Sequence, residues 1–364
     1  MERAPDVTTY WDYLKLDKLL HLQNGLDENE SQLLPDELHF IIVHQIFELW
    51  FKLILSELRL VRDALLGPVS PEIPIPGVLR RLDRINRTLG AAAQQWEVME
   101  TISPQEFLAF RDKLFPASGF QSFQFPEIEI LLGLEEALLA TTGNTRSLDH
   151  IRMMANQSEA GARAWSRIEN VRREKTLRSA LEEWLQRWPI PRLSDRDPTN
   201  EANVDDFLQS YLGAIRGYYA AQERQLMQGP GASRADIQAR FAASYREAEE
   251  FLLAMDFPES DRQRARRIRA GILYIETYNH PPALNWARMV ISSVLDLESA
   301  LLLWRTRHAR VAERVIGRRV GTGGGSVNYL DQTLGFRVFT DFWAARTHVL
   351  PHHFAPLIQQ LEPK

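Results

Sequence analysis

From Phe40 to Phe51 the chain reads Phe40-Ile41-Ile42-Val43-His44-Gln45-Ile46-Phe47-Glu48-Leu49-Trp50-Phe51, apolar on every face of the helix that its spacing describes. A helix without a polar side has nothing to turn toward water, so this stretch predicts a segment surrounded by protein. The same helical recurrence of apolar positions runs through most of the chain, and alternating Val/Ile/Thr runs bounded by turns are hard to find. The expected fold class is all-α. Helices are predicted over 36–65, 78–98, 127–140, 148–171, 205–226, 234–255 and 286–316. The breaks at Gly67-Pro68 to Pro76, Pro189 to Pro198, Gly229-Pro230-Gly231 and Pro281-Pro282 are short, and no internal repeat is found. With 364 residues, 45% of them hydrophobic, the chain can bury a large core. A single helical domain over 1–364 is expected, with the Arg/Glu/Ala-rich stretch 233–269 as a solvated helical appendage.

Charge and composition remove several functions. The 43 basic and 48 acidic residues are scattered and leave a net charge of -5, so no basic face attracts a phosphate backbone, and no nucleic-acid partner is expected. The chain has no cysteine, which excludes disulfides, thiolate catalysis, iron–sulfur clusters, Cys-type zinc sites and thiolate-ligated or c-type haem. Met1 to Tyr10 has no apolar core or small-residue cleavage site. Phe40 to Leu55 is interrupted by His44, Gln45, Glu48 and Lys52 and falls short of the ~20 apolar residues that span a bilayer. No membrane association and a cytoplasmic location are expected.

A few side chains stand out against this background. His44, with Gln45 and Glu48 beside it, lies where the helix has no visible solvent face, and buried polar groups need partners. It reads either as a hydrogen-bonded core histidine or as a functional one. His308 shares a helical stripe with Val311 and Val315, which suits a neutral imidazole binding haem iron inside an apolar wall and equally suits a satisfied core residue. In Phe107-Leu108-Ala109-Phe110-Arg111-Asp112-Lys113-Leu114, an arginine shares a face with an aromatic ring and a leucine, a setting for the carboxylate of a mostly apolar ligand or for an ordinary ion pair. Gly321-Thr322-Gly323-Gly324-Gly325-Ser326 lacks the final glycine of a dinucleotide loop and the lysine of a P-loop. It reads as a backbone that approaches a small ligand, or as a linker. His352-His353 are adjacent, point apart and are expected at the surface.

Taken in order, these segments resemble the tryptophan 2,3-dioxygenase family from Thr9 to about Pro356. Tyr10-Trp11-Asp12-Tyr13-Leu14-Lys15-Leu16-Asp17 is similar to its Y-x-x-Y-L-x-L-D segment. Asp36-Glu37-Leu38-His39-Phe40-Ile41-Ile42-Val43-His44-Gln45 with Glu48-Leu49-Trp50-Phe51-Lys52 resembles its D-E-x-x-F-I-x-x-H-Q…E-L-W-F-K helix. Phe110-Arg111-Asp112 leading to Ala117-Ser118-Gly119-Phe120-Gln121-Ser122 resembles its F-R…S-G-F-Q-S segment, and Trp304-Arg305 with His308 and then Gly321-Thr322-Gly323-Gly324 resembles its haem-ligand helix and following loop.

The resemblance implies a fold with a b-type haem buried between long helices. It implies His308 as the proximal iron ligand, with Trp304, Ser118 and Gly119 also around the haem, and the opposite face open to dioxygen. His44 would accept the indole N–H, Arg111 would grip the substrate carboxylate, Thr322 would meet the amino-acid end, and Phe40, Phe107 and Leu114 would pack on the indole ring. Tyr10, Tyr13 and Leu14 would come from a neighbouring subunit of an intertwined homotetramer. The implied substrates are L-tryptophan, or a close analogue, and dioxygen; the implied outcome is opening of the indole C2–C3 bond to N-formyl-L-kynurenine. Three departures stand out: Phe125-Pro126 where the family usually has an aromatic-arginine pair, Gly324-Gly325-Ser326-Val327 in the loop, and Pro35 where histidine is common. They motivate an alternative, a haem mono- or dioxygenase for a substituted tryptophan in a biosynthetic pathway. A second alternative is a non-catalytic helical oligomeric binding protein.

Overall fold

A computed structural model describes residues 8–26, 28–67, 70–114, 122–142, 157–190, 201–229, 233–317 and 327–356, with single residues at 148, 152, 155 and 319. Among these residues there is no strand. The helices in chain order are α1 Tyr10–Leu14, α2 Leu16–Leu19, α3 Pro35–Leu66, α4 Ile75–Met99, α5 Pro104–Leu114, α6 Gln124–Leu132, α7 Leu134–Thr142 and α8 Glu159–Val171. They continue as α9 Leu177–Gln186, α10 Glu201–Leu226, α11 Arg234–Leu252, α12 Glu259–Thr277, α13 Pro282–Ile316, α14 Val327–Thr333 and α15 Thr340–His348.

Three long helices form the frame. α3 and α4 make an antiparallel hairpin, and the buried carboxylate of Glu57 on α3 takes Arg81 at 2.8 Å and Arg84 at 2.5 Å from α4. α13 runs parallel to α4: Asn86 donates to the Ser293 carbonyl at 3.0 Å, and further along Arg307 pairs with Glu97 at 2.9 Å. Between these polar fasteners the three helices bury Phe47, Phe51, Leu58, Leu82, Leu89, Trp96, Val290, Val294 and Leu301 in one continuous core. The remaining helices are tied to this frame. Trp184 on α9 donates to the Pro71 carbonyl at 2.7 Å, Arg59 on α3 pairs with Glu127 on α6 at 2.8 Å, and Glu298 on α13 accepts the Val338 amide at 2.5 Å ahead of α15.

α3 begins one residue before its predicted start, with Pro35 in the first helical turn, where a missing N–H costs nothing. By length and composition α3 is also able to cross a membrane. In this fold it lays Val43, Phe47, Phe51, Ile54, Leu55 and Leu58 into the core and its Glu57, Arg59 and Arg62 onto partners in neighbouring elements. The expectation of a helix enclosed on all sides is not met within one chain, because Ile42, Leu49 and Leu60 face outward from α3.

Three other expectations are corrected. The helix predicted over 127–140 is two helices, broken at Gly133 with φ +104°, where a Cβ would stand 2.8 Å from the Arg178 Cβ. The helix predicted over 148–171 is interrupted at Gln157 and Ser158: Arg152 and Ala155 are helical among the described residues, and α8 starts at Glu159, where the Ser158 hydroxyl accepts the Gly161 amide at 3.0 Å. The arginine-rich stretch 233–269 is not solvated throughout: Arg267 and Arg269 on α12 are buried. Arg267 reaches the Gln186 and Trp188 carbonyls at 3.0 and 2.9 Å, and Arg269 reaches Asp256 at 2.6 Å and Asp341 at 2.9 Å.

Candidate active site

Helical spacing on α3 puts Phe40, His44, Phe47 and Phe51 on one stripe, and this stripe faces α4, α5 and α13. At its upper end Phe40 meets the α5 rings Phe107 at 6.0 Å and Phe110 at 5.6 Å, with the Phe40 and His44 rings 4.0 Å apart. α5 is started by a capping box: the Ser103 hydroxyl accepts the Glu106 amide at 3.3 Å, and Glu106 accepts the Ser103 amide at 2.7 Å. The helix is held to α3 by Lys113, which pairs with the buried Glu37 at 2.7 Å. Arg111, one turn after Phe107, is half-buried, and Leu114 packs against the core.

The lower end of the stripe meets α13. Trp304 lies 5.8 Å from Phe47 and 5.4 Å from Phe51, and Phe125 of α6 packs on it at 4.5 Å. His308 follows one turn later, 5.3 Å from the Trp304 ring. Trp96 on α4 lies between the two histidines. It is stacked on His308 at 4.8 Å and 8° and stands edge-on to His44 at 6.4 Å and 84°. Behind Trp304, Arg305 and Glu129 form a buried ion pair at 2.7 Å.

Burial drives the electrostatics. Desolvation pushes His308 down to about 4, with repulsion from a protonated His44 a smaller contribution in the same direction, and desolvation also lowers His44, partly offset by its hydrogen bond to the Phe40 carbonyl. Both rings are therefore neutral near pH 7. A carbonyl only accepts, so the 2.8 Å contact from His44 Nδ1 to the Phe40 oxygen places the proton on Nδ1 and leaves Nε2 as an acceptor. The polar neighbours of His44 are also satisfied. Gln45 bonds Gln23 at 2.5 Å and the Leu22 carbonyl at 3.0 Å, while Glu48 accepts from Ser122 at 2.6 Å and Gln124 at 2.7 Å.

The arrangement fits a haem. Two buried indole N–H groups, on Trp96 and Trp304, have no acceptor among the described residues, which leaves two donors for a polar guest beside His308. Among the described residues no three metal-ligating side chains converge, so an iron held by His308 would draw its other ligands from a macrocycle.

Of the residues singled out from sequence, His44, Phe40, Phe107, Trp304 and His308 are brought into one continuous ring cluster, with Arg111 and Leu114 on its α5 side. Tyr10, Tyr13 and Leu14 are not part of it: they stand on α1 with Tyr10 71% and Tyr13 78% exposed. Ser118, Gly119, Thr322 and Gly325 lie outside the described residues. Pro126 sits in the first turn of α6, buried, where it removes no helical hydrogen bond. His352 and His353 are exposed, as expected. Trp96, Phe110 and Phe125 were not anticipated. Each reads in sequence as an ordinary core aromatic, and only the crossing of α4, α5 and α6 with the α3 stripe gives it a place in the site.

A profile of the family described as Tryptophan 2,3-dioxygenase matches residues 2–349. The chain is 42% identical over 363 residues to "Tryptophan 2,3-dioxygenase 2" of Ralstonia nicotianae, covering 97% of this chain and 96% of that protein. It is 40% identical to a Tryptophan 2,3-dioxygenase of Sorangium cellulosum, covering 96% of this chain and 85% of that protein. A Tryptophan 2,3-dioxygenase-like protein of Xanthomonas campestris is 40% identical over 269 residues, covering 71% of this chain and 95% of its own length. With the profile matching residues 2–349 and the first two of these likenesses covering 97% and 96% of the chain, the chain belongs to the tryptophan 2,3-dioxygenase family.

Proposed function

We propose that this protein is a haem-dependent oxidoreductase that opens the indole C2–C3 bond of L-tryptophan with dioxygen to give N-formyl-L-kynurenine. The observation that carries the reading is the pair of neutral, desolvated histidines, His44 and His308, on opposite helices around Trp96 within an aromatic wall. His308 would hold the iron of a b-type haem, with Trp304, Ser118 and Gly119 around it. When bound, the haem supplies the activation of dioxygen that amino-acid side chains cannot provide.

The chain's own residues orient the substrate. Phe40 and Phe107 offer flat apolar surface to the indole, with Leu114 beside them. His44 Nε2, an acceptor because the Phe40 carbonyl holds the other ring position, receives the indole N–H. Arg111 receives the carboxylate through its planar guanidinium, and Thr322 meets the ammonium end. This division of labour fixes a zwitterion at one end and a flat ring at the other, and the dry aromatic surround keeps competing water out. His44 keeps its Nδ1 proton throughout this orientation and serves as an acceptor, not as a base.

We further propose a cytoplasmic homotetramer in which Tyr10, Tyr13 and Leu14 of one chain complete the site of another. Support comes from the exposure of these side chains on α1 and from the outward apolar residues Ile42, Leu49 and Leu60 on α3. The testing experiment is an optical spectrum of haem-reconstituted protein, ferric and ferrous, with and without L-tryptophan, followed by product analysis in air. A histidine-ligated Soret band that shifts with L-tryptophan and yields N-formylkynurenine is expected. No band refutes the haem reading, and a band indifferent to L-tryptophan refutes this substrate in favour of a substituted one.

A further inference from the structure

A metal-bound imidazole must be held in one rotation about its own side-chain bond. Protein haem and metal sites ordinarily achieve this with a hydrogen bond from the second ring nitrogen to a carboxylate or carbonyl. His308 has no such partner among the described residues. It has the Trp96 indole, parallel to within 8° at 4.8 Å. Stacking covers a face of the imidazole and leaves its edge, which carries both nitrogens, uncovered by the indole.

Trp304 also lies near, at 5.3 Å and 48°, but it is one turn back on the same helix and moves with His308. Trp96 comes from α4 and is itself wedged: it is 3% exposed, 4.5 Å from Phe47 and 5.5 Å from Trp304. α4 is further held against sliding along α13. Asn86 donates to the Ser293 carbonyl at 3.0 Å, and the sequence neighbours of the stacked pair, Glu97 and Arg307, form their own ion pair at 2.9 Å. The register of two helices therefore delivers one flat ring onto another.

We propose that Trp96 is the positioning residue for His308, fixing the imidazole's rotation by stacking where other sites use a hydrogen bond. The proposal rests on His308 being the iron ligand. An indole face takes no proton from the second nitrogen, so the imidazole keeps the donor strength of a neutral ligand, whereas a carboxylate at that position would raise it. Removing the indole frees the ring to rotate, and the bond to iron is then distributed over several orientations.

Haem-reconstituted wild type, Trp96→Phe, Trp96→Met and His308→Ala are compared, each after circular dichroism confirms its helical content. His308→Ala tests the premise and must lose the iron–histidine stretch of the ferrous protein; its persistence overturns the ligand assignment and this proposal together. With the premise intact, the stretch and the ferric paramagnetic resonance lines broaden in the order wild type, Trp96→Phe, Trp96→Met. Trp96→Met passes its haem to excess apomyoglobin ~10-fold faster. Lines as sharp as wild type in Trp96→Met overturn the proposal. If Trp96→Met does not fold, Trp96→Phe decides: broadened lines support the proposal, and lines as sharp as wild type overturn it.

Discussion

His348, the last residue of α15, is set to weaken the fold as the pH falls, and replacing it with phenylalanine should remove that weakness. The ring is 7% exposed, lies 5.0 Å from Phe251, and its Nδ1 has no partner among the described residues. Burial, together with the nearby Arg269 guanidinium, holds it down to about 4. Arg269 cannot retreat, because it is 2% exposed and bound to Asp256 and Asp341. The folded histidine therefore stays neutral between 6.5 and about 4, where the unfolded one takes up a proton. A depressed folded value means the stability is complete above 6.5, declines as pH falls, and is fully lost below about 4. For a single group this amounts to at most ~2 kcal/mol at pH 5 and almost nothing at pH 7.

His348→Phe keeps a ring on Phe251 and keeps the backbone oxygen that accepts from Tyr211 at 3.1 Å. It also removes an unsatisfied nitrogen, worth ~1 kcal/mol. Urea unfolding of the haem-loaded protein, followed by circular dichroism at pH 7, 6 and 5, should show the variant ahead by ~1 kcal/mol at pH 7 and by up to ~3 kcal/mol at pH 5. An identical difference at all three pH values would show that His348 protonates as freely in the folded chain as in the unfolded one, and the argument would fail.

Three further outcomes test the site. His44→Leu removes the acceptor for the indole N–H and should lower kcat/KM for L-tryptophan ~10-fold while leaving the Soret band in place; an unaltered kcat/KM would remove His44 from substrate binding. Arg111→Leu should raise KM for L-tryptophan ~10- to 100-fold while weakening far less the binding of tryptamine, which has no carboxylate, as read from the Soret band; equal losses with both compounds would assign Arg111 a structural role. Lys113→Met strips one partner from the buried Glu37, leaving the Leu34 amide at 3.3 Å, and should cost ~1–3 kcal/mol in urea unfolding and loosen α5. Wild-type stability would show that α5 is held by its aromatic residues alone.

The parts of the molecule that sequence revealed are those in which one helix carries its own pattern. α3, α4 and α13 announce themselves through long apolar periodicities, and His44 and His308 stand out because each interrupts such a stripe. Trp96 carries no such mark: an aromatic on an apolar face looks the same whether it packs on leucine or stacks on a histidine, and its partner lies in the far half of the chain. Arg267 and Arg269 misled in the opposite direction. Arginine density reads as solvent exposure, yet their charges are met by carbonyls and by Asp256 and Asp341 from other elements. The break at Gly133 was equally silent, since the approach of Thr176 and Arg178, which leaves no space for a Cβ there, comes from residues far along the chain. The N-terminal Tyr10, Tyr13 and Leu14 enter only through their resemblance to a family motif, because a short exposed helix has no core periodicity of its own.

The two histidines that face the site come from helices at opposite ends of the chain, separated by about 260 positions. At ~5–20 residues per second, a ribosome needs roughly 10–50 s after making His44 to make His308. Throughout that interval the stripe of Phe40, Phe47 and Phe51 has been synthesised while its α13 partner has not. A group enclosed between these two helices can therefore be enclosed only after α13 has been made.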